Sequence, residues 1–182
     1  MNIGRRAFLR TGSGALLATA GGIVPAMAFS PAAPRTIALR NLHTDDRLKL
    51  DYWTNGSYQP AALAQLNHVL RDWRNNEVHP INPKLFDLLH TLQANLGSEA
   101  EIEVISGYRS PVTNAAMHER SNGVASKSLH MQGMAMDIRI PGQALDKLHD
   151  QALKMAWGGV GYYPTSNFVH VDVGRVRKWN GV

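Results

Sequence analysis

A single α+β domain is the architecture this sequence predicts, on three observations. The chain has 182 residues, the size of one domain with short extensions. Two leucine-striped segments with helical spacing lie in its first half. Short runs of alternating apolar residues, separated by Gly, Pro and Asn turns, dominate the second half. Helices first, with a small and mainly antiparallel sheet later, is an α+β pattern. With 44% apolar and 18% charged residues, the composition is that of a globular chain rather than a disordered one.

Residues 1–28 stand apart from this domain. Arg5-Arg6 precede Phe8-Leu9, an Ala- and Gly-rich apolar run follows to Val24, and Ala26-Met27-Ala28 is a small-x-small cleavage pattern. Basic, then apolar, then small is the layout of an export signal, and paired arginines before Phe-Leu are similar to the twin-arginine type. Gly4 stands where Ser or Thr is usual. The glycine-interrupted run is too short for a membrane span, which needs about 20 residues. Export to the periplasm is therefore expected, with the membrane met only in passage. Residues 29–36, with Pro31 and Pro34, read as an extended lead-in, and 37–182 as the working domain.

The charge follows the same division. The whole chain carries a formal +5, but Arg5, Arg6 and Arg10 lie in the first segment, which has no acid. The remainder holds 16 basic and 14 acidic residues, or +2. With few aromatics and no basic stripe, nucleic-acid binding is excluded as a reading. The absence of cysteine removes disulfides, thiol nucleophiles and a lipid-modified N-terminus.

Within the domain, Ile37, Leu39, Leu48, Leu50 and Tyr52 alternate around a turn at 41–47, predicting a hairpin. Leu63, Leu66, Val69, Leu70 and Trp73 predict a helix from Pro60. Leu85, Leu88, Leu89, Leu92 and Leu96 predict a second over 83–96, stopped by Gly97. A strand at 102–106, a short helix at 111–120 and a polar loop at 121–129 follow. A strand at 134–140, a helix at 143–156, and strands at 159–163 and 168–173 complete the order.

Two constellations carry candidate chemistry. In the first, His130 closes the polar loop and Asp137 lies seven residues on, inside a strand. Aspartate is a poor strand former, and burying it needs a partner such as a metal. The second is Phe168-Val169-His170-Val171-Asp172-Val173, where His170 and Asp172 share one face of a strand. Two imidazoles and a carboxylate make a zinc site with an open fourth position, and Asp172 could then take a proton from water. An exposed polar strand face is the alternative. Arg109, in Ser106-Gly107-Tyr108-Arg109-Ser110, follows a strand and offers a fork for a carboxylate or an oxyanion, or a structural ion pair. Ser106, Ser128, Tyr162, Tyr163, His118 and Lys127 are secondary candidates. His43, His68, His79, His90 and His149 read as packed or solvated.

The series Ser-x-x-Arg, Ser-x-His-x6-Asp and Phe-Val-His-Val-Asp resembles the zinc D-Ala-D-Ala peptidases and the hedgehog-like fold. The blocks at 41–44, 66–68, 105–110, 158–164 and 166–170 are similar to the murein endopeptidase K family, over essentially the whole mature chain. The resemblance implies a monomeric zinc endopeptidase cutting peptide cross-links of peptidoglycan, with His130, Asp137 and His170 as ligands and Arg109 on substrate. Relatives place a general-base Glu three residues before the last histidine. Asn167 stands there instead, so the base falls to Asp172. A D,D-carboxypeptidase trimming terminal D-alanine and a non-catalytic zinc-containing peptidoglycan-binding module are the alternatives.

Overall fold

The computed structural model describes residues 33–120 and 124–181; the expected export signal lies outside the described residues. Strand β1 (Arg35–Asn41) takes up the last two residues of the expected lead-in and pairs antiparallel with β2 (Arg47–Thr54). Asn55 and Gly56, both at positive φ, turn the chain into the two-residue β3 (Ser57–Tyr58). That pair is the sequence signature of a tight hairpin turn.

Helix α1 (Pro60–Val69) starts at its proline, as predicted, but ends before Trp73, which lies in the following loop. Helix α2 (Pro83–Asn95) starts at Pro83, with the Asn82 side chain accepting from the Lys84 amide, and Gly97 follows its end at φ +60°. Leu85, Leu88, Leu89 and Leu92 are buried, so the leucine stripe is core. Leu66 from α1, Leu70 just past its end, and Ile37, Leu39, Ile102, Met136 and Ile138 from the sheet join them in one cluster.

The remaining elements are β4 (Ile102–Ser106), α3 (Pro111–Arg120), a 3₁₀ turn (Leu129–Gln132), β5 (Ala135–Arg139), α4 (Leu145–Met155), β6 (Gly159–Tyr163), β7 (Phe168–Asp172) and β8 (Arg177–Asn180). The α+β class holds, but the sheet is larger than expected. The eight strands among the described residues form one sheet in the order β3-β2-β1-β4-β5-β7-β6-β8. It is mixed: β1–β4 and β6–β8 are parallel, and the other pairs antiparallel. The first hairpin is thus the sheet's own flank rather than a separate element. Strand β8 was not foreseen, because four residues with two cations look like a tail.

Register, more than any single element, positions the functional side chains. Ser106 lies opposite Asp137, Asp137 opposite His170, His170 opposite Gly161, and Gly161 opposite Trp179. Directly opposed residues share a face. One row therefore crosses β4, β5, β7, β6 and β8.

Leu89 is fully buried beneath this sheet. Leu89→Ala is expected to cost about 2–5 kcal/mol. Urea unfolding should show a lowered midpoint with little change in slope.

Candidate metal centre

His130 sits on the 3₁₀ turn, and its amide donates to the Ser128 hydroxyl that caps the turn. Gly133 ends that turn in the left-handed region at φ +63°, with its α-carbon facing the Pro80 carbonyl so closely that a Cβ would lie 2.3 Å from the oxygen. A residue with a side chain fits neither the dihedral nor the space. This reversal brings β5, and with it Asp137, back beside His130. Strand β7 supplies His170 from the neighbouring position of the row.

The three side chains converge in the interior, at 3%, 7% and 8% exposure. His170 Nδ1 lies 2.9 Å from Asp137 Oδ1 and 3.2 Å from His130 Nε2, and His130 Nε2 lies 3.3 Å from the same carboxylate oxygen. The outward nitrogens decide what those inward atoms are. His130 Nδ1 contacts the Gly107 carbonyl at 2.7 Å, and a carbonyl only accepts, so Nδ1 carries the proton. His170 Nε2 contacts Asp172 Oδ2 at 3.1 Å and donates for the same reason. Two lone pairs and a carboxylate oxygen therefore face one point. That arrangement repels itself unless a cation or an extra proton lies between, and a carbonyl or carboxylate behind each imidazole is the usual support of metal-binding histidines. The donor set fits a divalent ion.

Electrostatics agree. Burial alone would raise the Asp137 carboxyl, but His130 and His170 outweigh it and hold it well below the ordinary range. Burial pulls His170 down, yet Asp137 and Asp172 together push it up to about 8. The imidazolium is thus the cation that the trio accepts without a metal.

Asp172, expected to remove a proton, lies on the far side of the His170 ring from the other two side chains. It is fully buried behind His170. Its oxygens accept from the Gly159 and Gly174 amides, from Arg177 at two nitrogens and from His170. Burial would raise its carboxyl, but His170, Arg177 and these amides hold it well below the usual range. Its contact with His170 Nε2 fixes the orientation of that ring. Asn167 is equally explained by local structure. It closes the β6–β7 turn at φ +53°, a conformation asparagine tolerates far better than glutamate.

Strand β8 supplies residues that sequence reasoning missed. Trp179 packs on the His170 ring at 5.0 Å, and Arg177 clamps Asp172. Both occupy space vacated by glycines. A Cβ on Gly161 would fall 2.5 Å from the Trp179 ring, and one on Gly159 2.4 Å from Asp172 Oδ2. The signal was present as Gly159-x-Gly161 opposite Arg177-x-Trp179, period two against period two.

A cleft of about 540 Å³ opens on the trio. Arg109 lines it, 7% exposed, with Nη2 3.9 Å from Asp137 Oδ2. Ser106 and Asn114 contact this guanidinium only at 3.5 and 3.4 Å, and its Nε has no partner among the described residues. Burial lowers its pKa despite Asp137 nearby. Tyr163 lines the cleft and accepts from Trp179 Nε1, whereas Tyr162 packs against His149 on α4. Lys127 is at the rim, and His118 contacts the Val124 carbonyl.

Comparison with known proteins places the chain. The family model described as peptidoglycan L,D-endopeptidase MepK matches residues 29–179. The chain belongs to the MepK family. The peptidoglycan L,D-endopeptidase MepK of Escherichia coli strain K12 is 47% identical over 178 residues, covering 96% of both chains. The probable peptidoglycan L,D-endopeptidase MepK of Haemophilus influenzae is 48% identical over 160 residues, covering 87% of this chain and 86% of its own. The match takes in every residue of the cross-sheet row.

Two outcomes are expected from the wiring behind the histidines. Asp172→Asn should weaken zinc affinity about 10–100-fold while circular dichroism stays unchanged. Because His170 holds its proton up to about pH 8, a metal must displace that proton below this pH. Affinity should therefore fall about tenfold per unit as pH drops below 8 and flatten above it, and calorimetry at pH 7 in buffers of different ionisation enthalpy should report the released proton.

Proposed function

We propose that the chain is a zinc-dependent peptidoglycan endopeptidase, hydrolysing an amide in the peptide cross-links. The carrying observation is the buried His130–Asp137–His170 trio, whose outer nitrogens are both tied off so that only inward lone pairs remain. Membership of the MepK family supports the substrate class, and L,D stereochemistry at the cleaved bond is the reading its relatives' name supplies.

His130 and His170 would hold the ion through Nε2 and Nδ1, and Asp137 through Oδ1. When bound, zinc supplies a Lewis acid that polarises a carbonyl and makes water nucleophilic near neutral pH. The protein does the rest. Gly107 and Asp172 keep each imidazole in the tautomer that presents a lone pair. Trp179 closes one flank of His170 and limits water there. Arg109, buried and weakly partnered, offers N–H groups to substrate oxygen that gains charge during attack, or to a carboxylate beside the cleaved bond. Residues 1–28 serve, in this reading, as a twin-arginine signal that delivers a monomeric enzyme to the periplasm.

Purified protein with zinc, incubated with sacculi, should convert cross-linked muropeptides into monomers by mass analysis. A chelator should stop this and added zinc restore it, and His130→Ala should reduce it to background. Loss of a single terminal residue with cross-links intact would identify a carboxypeptidase instead. Zinc and muropeptide binding without any product would identify a binding module.

A further inference from the structure

The cleft is lined by four cationic side chains, Arg74, Arg109, Lys127 and Arg177, against one carboxylate, Asp137. Arg177 is committed to Asp172, and Asp137 to the histidines. Arg109 keeps an orphaned Nε, as described. Arg74 makes no ion pair and no side-chain hydrogen bond among the described residues. Its guanidinium lies 4.3 Å from the centre of the Trp73 ring, and Trp73 is itself stacked on His43 at 4.2 Å and 16°. Stacking of this kind fixes a guanidinium plane while leaving its N–H groups free for a ligand.

One buried carboxylate sets both arginine-bearing segments. Asp72, fully buried, accepts from the Arg74 amide through Oδ1 at 3.1 Å. Through Oδ2 it accepts from the amide of Ser110, the residue after Arg109, at 2.9 Å. Two guanidinium groups with unfilled N–H groups, Arg109 at Nε and Arg74 throughout, are thus held facing one cleft. Nothing in the hydrolytic machinery requires the second one.

We infer that Arg74 is a second anion-binding group, which takes a free carboxylate on the substrate peptide in addition to the oxygen met by Arg109. The occupant is then a peptide bearing an acid group beside the amide, and a carboxamide at that position is discriminated against. This rests on the endopeptidase reading only in taking the occupant to be a peptide. A bidentate Arg–carboxylate pair is strong and geometrically selective, and an amide cannot replace the acid without leaving donors poorly matched.

The test uses the zinc-loaded protein and two cross-linked muropeptides that differ only in a free carboxylate or a carboxamide on the residue flanking the cleaved bond. Steady-state kinetics and calorimetric binding of the matching monomer peptides are measured for wild type and Arg74→Gln. Amidation should raise KM and Kd of wild type about tenfold or more with little change in kcat, the size of a hydrogen bond to a charged group. Arg74→Gln should lose as much on the acid substrate, and amidation should then change KM and Kd less than about twofold. Equal amidation penalties in wild type and Arg74→Gln overturn the inference, as does the absence of any penalty in wild type. Should neither substrate be cleaved while the calorimetric difference still depends on Arg74, the endopeptidase reading fails and the anion site stands. Absence of binding by either monomer peptide overturns it.

Discussion

Everything at the centre of this molecule depends on two hydrogen bonds that point away from it. Gly107 draws one proton outward from His130, and Asp172 draws another from His170. Without them, each imidazole could place its proton inward and pair quietly with its neighbour. With them, two lone pairs and a carboxylate are held against each other in the interior, where repulsion is poorly screened. The fold bears that cost because the surrounding sheet is rigid: the row from Ser106 to Trp179 is set by register across five strands. A strain that a loop would relax is kept by a sheet, and it leaves the site suited to a cation.

Much of this was legible in sequence because it obeys period rules. The i, i+2 spacing put His170 and Asp172 on one face, and the leucine stripe of α2 is buried as its spacing required. The pairing of strands was less legible. Gly159 and Gly161 read as loose strand residues until β8 is laid beside them and their missing side chains become room for Arg177 and Trp179. A four-residue strand rich in cations has no local signal strong enough to compete with a tail, so its role exists only in tertiary context.

Asp172 illustrates a different limit. Sharing a face with a ligand was taken to mean sharing its chemistry. Along a strand, however, residues two apart are about 7 Å distant, far enough for one to look into the cleft and the other into the wall. Arg177 and two backbone amides lie on the wall side, and they hold the Asp172 carboxylate against His170. Asn167 teaches the converse. Its departure from the glutamate that the resemblance implies looked chemical, yet its positive φ at a tight turn accounts for the residue in conformational terms.

The distribution of charge follows from the same separation of local and global. The +5 of the whole chain falls to +2 once residues 1–28 are set aside, so no long-range field marks the domain as a binder of polyanions. Within the cleft the balance is different, because Asp137 and Asp172 are both consumed by the histidines and Arg177. What remains exposed to a ligand is cationic, and it is held in place by Trp73 and Asp72 rather than neutralised by them. Net charge averages over surfaces that never meet the substrate. A cleft whose acids are all engaged elsewhere selects anions even on a nearly balanced protein.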